Sequence, residues 1–309
     1  MSTLAAIDCG TNSTRLIVSE GEGRARRTLD RRMLTTRLGQ GLGATGAFAP
    51  EAVARTLDAL RTYRTVIDAH GVDEVRLAFT AAARDADAVD ELFAAAAEVV
   101  GVRPELLSGE EEGRLAFLGA TGELDPADGP FLVVDIGGGS TELVLGTTGP
   151  ELVVSLPMGA VRITEAHLQA DPPEAEELSN AIAEVRELLD DVRHQHPEVL
   201  EARTVIGLAG TITTVTSVEI GLAEWDRDQI HHFALTRAAA EDVFRTLATE
   251  SLEDRAFNPG LPRERADIIV GGCCCLVGLY RSFGLDEVLV SESDILDGLV
   301  LDLADRRGE

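Results

Sequence analysis

The chain of 309 residues contains no lysine; all 27 of its basic residues are arginine. That absence excludes a Walker-type phosphate loop, a Schiff-base lysine and a pyridoxal-phosphate enzyme, because each depends on the lysine amine. Positive charge is scarce overall. With 54 acidic residues the formal net charge is −27, and the pI is near 4.5. No large basic face is available for duplex nucleic acid or anionic lipid. A phosphate-bearing ligand would have to be held by backbone N–H groups, a few arginines and a metal ion. Only four cysteines occur, Cys9 and the run Cys273–Cys274–Cys275, which fits neither a disulfide framework nor a CxxC metal site. They read as small buried hydrophobes in a helix. No stretch approaches the ~18 apolar residues of a membrane span. The opening MSTLAAIDCG has no basic n-region of a signal peptide, so the cytoplasm is the expected compartment.

What is present is the composition of a globular protein, 45% hydrophobic and 26% charged, long enough for two domains. Three segments share one grammar, an apolar strand, a turn of small polar residues and a second apolar element. They are LAAIDCGTNSTRLIV from Leu4, FLVVDIGGGSTELVL from Phe131 and TVIGLAGTITTV from Thr204. The first two match closely and predict an internal duplication. Between them, Pro50 opens a helix that Gly71 ends, and VDEVRLAFT reads as a strand. Helices are predicted over ADAVDELFAAAAEVVG, EEEGRLAFLGAT, the stretch after Pro172–Pro173, 237–248, 263–282 and 295–306, with a strand at 287–291. GELDPADGP (122–130) is the best linker. Strands alternating with helices give an α/β protein with mixed sheets.

The turn Asp8–Cys9–Gly10–Thr11–Asn12–Ser13 ends a strand with small residues, so backbone N–H groups and hydroxyls can converge on one anion. Gly137–Gly138–Gly139–Ser140–Thr141 can do the same. Two such turns facing each other describe a cleft in which one phosphate chain is held from both sides. Asp8, Asp135 and the nearby Glu142 are hard oxygen donors suited to Mg²⁺, while Asp8 and Asp135 also fit simple turn caps. Gly210 and Thr211, in GLAGT, could hold a further phosphate or form a plain strand-to-helix turn. Glu111 and Glu112 at a helix start point about 100° apart and cannot share a task. Arg265 and Asp267 are placed on a helix, and Trp225 and Tyr280 read as packing residues.

Taken together, these motifs resemble the exopolyphosphatase/guanosine pentaphosphate phosphohydrolase (Ppx/GppA) family of the actin/hexokinase/chaperone-ATPase superfamily. The resemblance runs over essentially the whole chain, through DCGTNSTRL, RLGQGL (37–42), FTAAARDA (79–86), LSGEEEGRL (107–115), VVDIGGGSTEL, GLAGTITT and RERADII (263–269), all in order. It implies two ribonuclease-H/actin-like domains, each a mixed sheet flanked by helices, with an interdomain active-site cleft. The expected division is 1–122 for domain I and 123–297 for domain II, with a C-terminal helix of about 298–309 packing back on domain I.

The resemblance further implies hydrolysis of phosphoanhydride bonds, which is mostly positioning and charge neutralisation. Glu112 falls on the position that activates water, with Glu111 assisting through structure or neighbouring contacts. Arg84 falls on a phosphate-contacting arginine, alongside Gly10, Thr11, Asn12, Ser13, Gly137, Gly138, Gly139, Ser140, Thr141, Gly210 and Thr211 for phosphate. Asp8, Asp135 and Glu142 would hold Mg²⁺, or Mn²⁺ in its place. His232 falls where the family has His-Gly, although Phe233 follows it here, and His231 reads as solvated. VSESDILDGLV (290–300) departs from the family segment at Glu292, Asp294 and Leu296, so no role is carried over there. The longer members' additional HD-type domains have no counterpart, which leaves the short two-domain form. The expected substrate is inorganic polyphosphate, the alternatives being guanosine pentaphosphate or a nucleoside triphosphate, a non-catalytic alarmone or polyphosphate sensor, or a sugar or acetate kinase on the same fold. The resemblance also implies a homodimer.

Overall fold

The computed structural model describes residues 2–308, apart from the side chain of Arg24. Residues 1 and 309, the outer bounds of the two expected domains, lie outside the described residues. In chain order the strands are β1 Ser2–Cys9, β2 Ser13–Gly21, β3 Arg27–Thr35, β4 Glu74–Phe79, β5 Glu105–Leu106, β6 Phe131–Ile136, β7 Thr141–Gly146, β8 Pro150–Leu156, β9 Thr204–Leu208, β10 Ala234–Thr236 and β11 Glu287–Val290. The first seven helices are α1 Leu42–Thr45, α2 Pro50–His70, α3 Ala81–Asp85, α4 Asp90–Val100, α5 Gly109–Thr121, α6 Ala160–His167 and α7 Ala175–Gln195. The remaining six are α8 Ala209–Ile220, α9 Arg227–Ile230, α10 Arg237–Thr249, α11 Leu252–Arg255, α12 Ile269–Phe283 and α13 Ile295–Arg307. Among the described residues no helix is long and apolar enough to cross a membrane.

The chain divides into two compact units, Met1–Gly122 with Asp294–Glu309, and Glu123–Ser293. The last helix begins at Ile295, three residues before the expected 298. Unit 1 holds a five-stranded sheet in the order β3-β2-β1-β4-β5. Its first three strands form an antiparallel meander, and β4 and β5 run parallel to β1. Unit 2 repeats the arrangement as β8-β7-β6-β9-β11, with β10 added antiparallel at the outer edge. The duplication in sequence is therefore a duplication in topology, and both sheets are mixed and flanked by helices.

The central strands are buried nearly throughout, which explains their unbroken apolar runs. The edge strands β3 and β8 are half-exposed and carry polar residues. Helix boundaries follow local chemistry. Pro50 sits in the first turn of α2, and Gly71 ends it at φ 60°, a left-handed cap that costs glycine little. Ser108 caps α5 by accepting a hydrogen bond from the Glu111 amide at 3.1 Å. One expected helix is different. The segment 263–282 forms a short 3₁₀ turn at Arg263–Arg265, and the α-helix starts only at Ile269. The cysteine run lies in α12 with every thiol buried, and burial pushes the Cys274 thiol up to about 12.

In unit 1, α13 lies against α5 at backbone distance. A Cβ added at Gly298 would collide with the Leu115 carbonyl, and one at Gly119 would collide with the Asp294 carbonyl. Two glycines therefore set the separation of these helices. Gly298→Ala should destabilise unit 1 by about 1–3 kcal/mol through overpacking, read as a lower thermal midpoint. An unchanged midpoint would show that the contact is not tight.

Candidate functional site

Two hairpin turns are built the same way. In unit 1 the Gly10 amide donates to the Ser13 carbonyl at 3.0 Å, closing the turn between β1 and β2. In unit 2 the Gly137 amide donates to the Ser140 carbonyl at 3.0 Å, closing the turn between β6 and β7. The amides of Thr11 and Asn12 in the first turn, and of Gly138, Gly139 and Ser140 in the second, donate to no acceptor among the described residues. Successive uncommitted N–H groups in a tight turn form a cradle for an anion.

Each turn is supported from behind through its carbonyls. Asn12 O accepts from the amides of Thr36 at 3.1 Å and Arg37 at 2.9 Å, and Thr11 O accepts from Gly39 at 2.9 Å. Arg37 takes φ 53°, so the RLGQGL loop bends sharply to reach this position. In unit 2, Gly137 O and Gly138 O accept from the first amides of α6 at 2.9–3.1 Å, and Arg162 Nε donates to Gly139 O at 2.9 Å. A Cβ at Gly159 would stand 2.6 Å from the Gly138 oxygen, so only glycine allows this approach.

The turns differ at one cross-strand position. Asp8 pairs in register with Arg15, whereas Asp135 pairs with Glu142. Directly opposed side chains on adjacent strands project from the same face about 5 Å apart. In unit 1 the pair is an ion pair, with Arg15 Nη2 2.6 Å and Nε 3.1 Å from Asp8 Oδ2. Asp8 Oδ1 is buried and has no hydrogen-bond partner. Burial pushes the Asp8 carboxyl up, while Arg15 opposes the shift. In unit 2 two carboxylates face each other, Asp135 at 6% and Glu142 at 1% exposure, with Ser155 donating to Glu142 Oε1 at 2.8 Å. Opposed like charges in a buried setting favour a cation beside them.

Glu112 lies in the first turn of α5, and its side chain is largely buried. Arg84, from the short helix after β4, donates through Nη1 to Glu112 Oε2 at 2.7 Å and to the Leu107 carbonyl at 2.9 Å. The arginine expected at phosphate is thus also held on the expected base. Burial pushes the Glu112 carboxyl up; Arg84 opposes this, and the nearby Asp8 reinforces it. Unit 1 therefore brings Glu112, Arg84, Asp8 and Arg15 into one electrostatic group. Glu111 faces elsewhere. Both its oxygens accept from Arg114 at 2.9 Å, and that arginine holds its carboxyl below the usual range against a modest burial effect.

Gly210 is the second residue of α8 in unit 2, whose first residue, Ala209, takes φ 65°. A Cβ at Gly210 would overlap the Arg265 guanidinium, so that arginine lies directly on the turn. Thr211 is buried, in contact range of Gly272 on α12. The sequence places Arg265 on a helix, and the 3₁₀ turn is what brings it to Gly210. That turn is tied down by Arg255, 4% exposed, which donates to the carbonyls of Leu247 at 2.7 Å, Glu250 at 2.8 Å and Ala266 at 2.9 Å.

The two histidines depart from expectation. His231 is not solvated. Its Nδ1 accepts from the Glu292 amide at 3.0 Å, and its Nε2 lies 3.1 Å from Glu123 Oε2. Accepting that amide leaves the neutral ring's proton on Nε2, which donates to Glu123. Burial pushes the His231 pKa down, with Glu123 opposing. His232 stacks on the His231 ring at 3.8 Å and takes φ 63°, the left-handed conformation that glycine favours. The His-Gly pattern therefore fits His231–His232 in shape, not His232–Phe233. Stacked rings and an Nε2 that carries a proton do not suit a metal ion shared with Glu123.

The geometry can be set beside known proteins. The model of the Ppx/GppA phosphatase family matches residues 16–307. Exopolyphosphatase 2 of Mycobacterium tuberculosis is 42% identical over 317 residues, covering 98% of this chain and 99% of that protein. The guanosine-5′-triphosphate,3′-diphosphate pyrophosphatase of Aeromonas hydrophila is 28% identical over 300 residues, covering 97% of this chain and 59% of that protein. Among solved structures, an exopolyphosphatase-like protein is similar with a TM-score of 0.94 at 35% identity over 99% of each chain. A match across nearly the full length, on a chain with two amide-lined turns and one buried glutamate–arginine pair, identifies this protein as a member of the Ppx/GppA phosphatase family.

Proposed function

We propose that this chain is an exopolyphosphatase, releasing terminal orthophosphate from inorganic polyphosphate. The observation that carries the reading is the pair of turns closed in the same way, each with uncommitted amides at a strand end. Such turns recognise phosphate oxygens without lysine and without a basic surface, which suits a chain of net charge −27. Identity of 42% to a protein named exopolyphosphatase 2 supports the same substrate.

In this reading Gly10, Thr11, Asn12 and Ser13 of unit 1 hold phosphate, as do Gly137, Gly138, Gly139, Ser140 and Thr141 of unit 2. Gly210 and Thr211 belong to the same set, with Arg265 beside them. Glu112 takes a proton from water as the water oxygen attacks the terminal phosphorus. The bond to the bridging oxygen breaks, and the shortened chain leaves with the electron pair. Arg84, on Glu112, orients the carboxylate and stands ready for the developing charge. A divalent cation, Mg²⁺ or Mn²⁺, would neutralise phosphate charge when bound. The opposed Asp135 and Glu142 are the donors that fit it best, and the unpartnered Oδ1 of Asp8 is the one oxygen of that carboxylate left to offer. The Arg15 ion pair reduces the share of Asp8 as a ligand. Glu111 is a structural partner of Glu112, not a second base.

Hydrolysis of the 5′ terminal phosphate of guanosine pentaphosphate is the second reading, favoured by the similarity to the Aeromonas pyrophosphatase. The two are separated by phosphate release in the presence of Mg²⁺ from short polyphosphate, long polyphosphate and guanosine pentaphosphate. Polyphosphate should be preferred, with chelation of divalent metal abolishing release. Preference for the nucleotide would move the assignment to the second reading. Binding without release from any of the three would contradict both.

A general base must be ionised to act, and the Glu112 pKa is raised. Activity should therefore fall as pH drops through a value above the ordinary glutamate pKa of about 4.3. Glu112→Gln should lower kcat by about 100-fold or more and remove that acidic limb. An unchanged limb in the variant would show that another group is the base.

A further inference from the structure

We propose that the C-terminal helix α13 is a positioning element for catalysis, in which Asp294 and Asp302 set the places of Asp8 and Glu112. The proposal rests on the reading of Glu112 as the base. Neither acid touches the group it positions directly; each acts through an arginine.

The argument begins with spacing. On α5, Glu111, Leu115 and Gly119 recur every fourth residue and share one face. At the start of and along α13, Asp294, Gly298 and Asp302 do the same. The two faces meet in antiparallel register. Gly119 meets the Asp294 carbonyl, Gly298 meets the Leu115 carbonyl, and Asp302 reaches Glu111 through Arg114. Glu112, one residue on from Glu111, is turned off this face toward Arg84.

At the far end of this register the contacts are ionic. Asp302 Oδ1 accepts from Arg114 Nη2 at 2.6 Å, and Arg114 grips Glu111 through Nε and Nη2. Asp302 Oδ2 accepts from Arg76 Nη1 at 2.7 Å and lies 2.8 Å from Arg306 Nε. Arg76 is buried on β4, beside β1, which carries Asp8, and its other nitrogens meet Glu105 on β5 at 3.0–3.2 Å. One carboxylate on α13 thus joins two strands and the first turn of the helix that carries the base.

At the helix start a second acid does the corresponding task for Asp8. Asp294 caps α13 by accepting the Leu296 amide at 2.9 Å, and the same carboxylate pairs with Arg15 and with Arg31. Arg15 is the cross-strand partner of Asp8, so Asp294 fixes the arginine that fixes Asp8. Asp297 completes the support by taking Arg31 at 2.9 Å. Without Asp294, Arg15 loses a carboxylate that holds it from the α13 side, while its pairing with Asp8 stays. Without Asp302, Arg114 and Arg76 lose the carboxylate that ties them to α13, and the first turn of α5 keeps its Ser108 cap, the Arg84–Glu112 pair and the arginines on Glu111 without that anchor.

The test uses the full-length protein with short polyphosphate. Asp302→Asn and Asp294→Asn preserve shape, and asparagine keeps the cap at 294. Each should lower kcat on the order of tenfold, with KM within about twofold, because small misplacement of reacting groups costs turnover. Arg307→Gln, on the same helix, breaks an exposed pair with Glu74 of β4 and should leave both constants unchanged. Asp302→Asn should have no further effect on kcat in the Glu112→Gln background, measured at enzyme concentrations that bring residual turnover into range. Wild-type kcat in Asp302→Asn, or a loss recovered fully when rates are normalised to folded protein, overturns the proposal. So does a loss that simply multiplies with that of Glu112→Gln, since it would mean that Asp302 acts elsewhere. Full activity in Glu112→Gln alone instead overturns the assignment of the base, whatever Asp302→Asn does.

Discussion

Asp8 stands at the buried end of a central strand, where a carboxylate in low dielectric is costly without a positive partner. Arg15 supplies that partner from the residue directly across the hairpin, and much of unit 1 is arranged to hold Arg15 in place. Asp294 grips its other side, Arg31 neutralises Asp294, and Asp297 receives Arg31. Positive and negative groups alternate from the strand end to the start of the last helix. Burial pushes Asp8 up, whereas Arg15 and Arg31 hold Asp294 down against its own burial. The same demand is met differently in unit 2. There the position opposite the aspartate is Glu142, so two acids share one face. The two hairpins thus share a register and differ in the identity of one cross-strand residue, Arg15 in unit 1 and Glu142 in unit 2.

The lack of lysine and the surplus of acid shape how phosphate can be recognised. Backbone N–H groups carry no net charge that an acidic surface could cancel, and the sheet fixes their direction. Both turns use the same closure, and both are supported through their carbonyls, which leaves the amides uncommitted. The arginines near the site are each committed at least in part, Arg84 to Glu112 and Arg15 to Asp8. In these pairs they orient carboxylates. The strain recorded at Arg37, Ala209 and His232 falls on the loop behind the first turn, on the first residue of α8 and on the stacked histidine.

Much of this was legible in the sequence where the cause is local. The hairpins follow from apolar runs broken by small residues, and their equal length gives the same register twice. The pairing of Asp8 with Arg15 could have been read by counting outward from the turn. Helices with a proline start and a glycine stop were placed to within a few residues. The sequence did not reveal how far α12 would be shortened, because GGCCC is apolar throughout and gives no sign that the preceding RERADI forms a 3₁₀ turn. Arg265 was consequently not placed on Gly210. Asp294, Asp302 and Arg76 were missed for a different reason. Their partners are hundreds of residues away in the chain, and a single sequence carries no periodicity for such pairs. His231 was misjudged because only the fold brings the Glu292 amide to its ring.

The central claim is that the uncommitted amides of the two turns are the phosphate-binding groups. The most direct test is backbone amide NMR on Glu112→Gln protein titrated with short polyphosphate in the presence of Mg²⁺. The account predicts that the amide resonances of Thr11, Asn12, Gly138, Gly139 and Ser140 move most, saturably and together. Saturable shifts concentrated elsewhere, with these five unmoved, would contradict it.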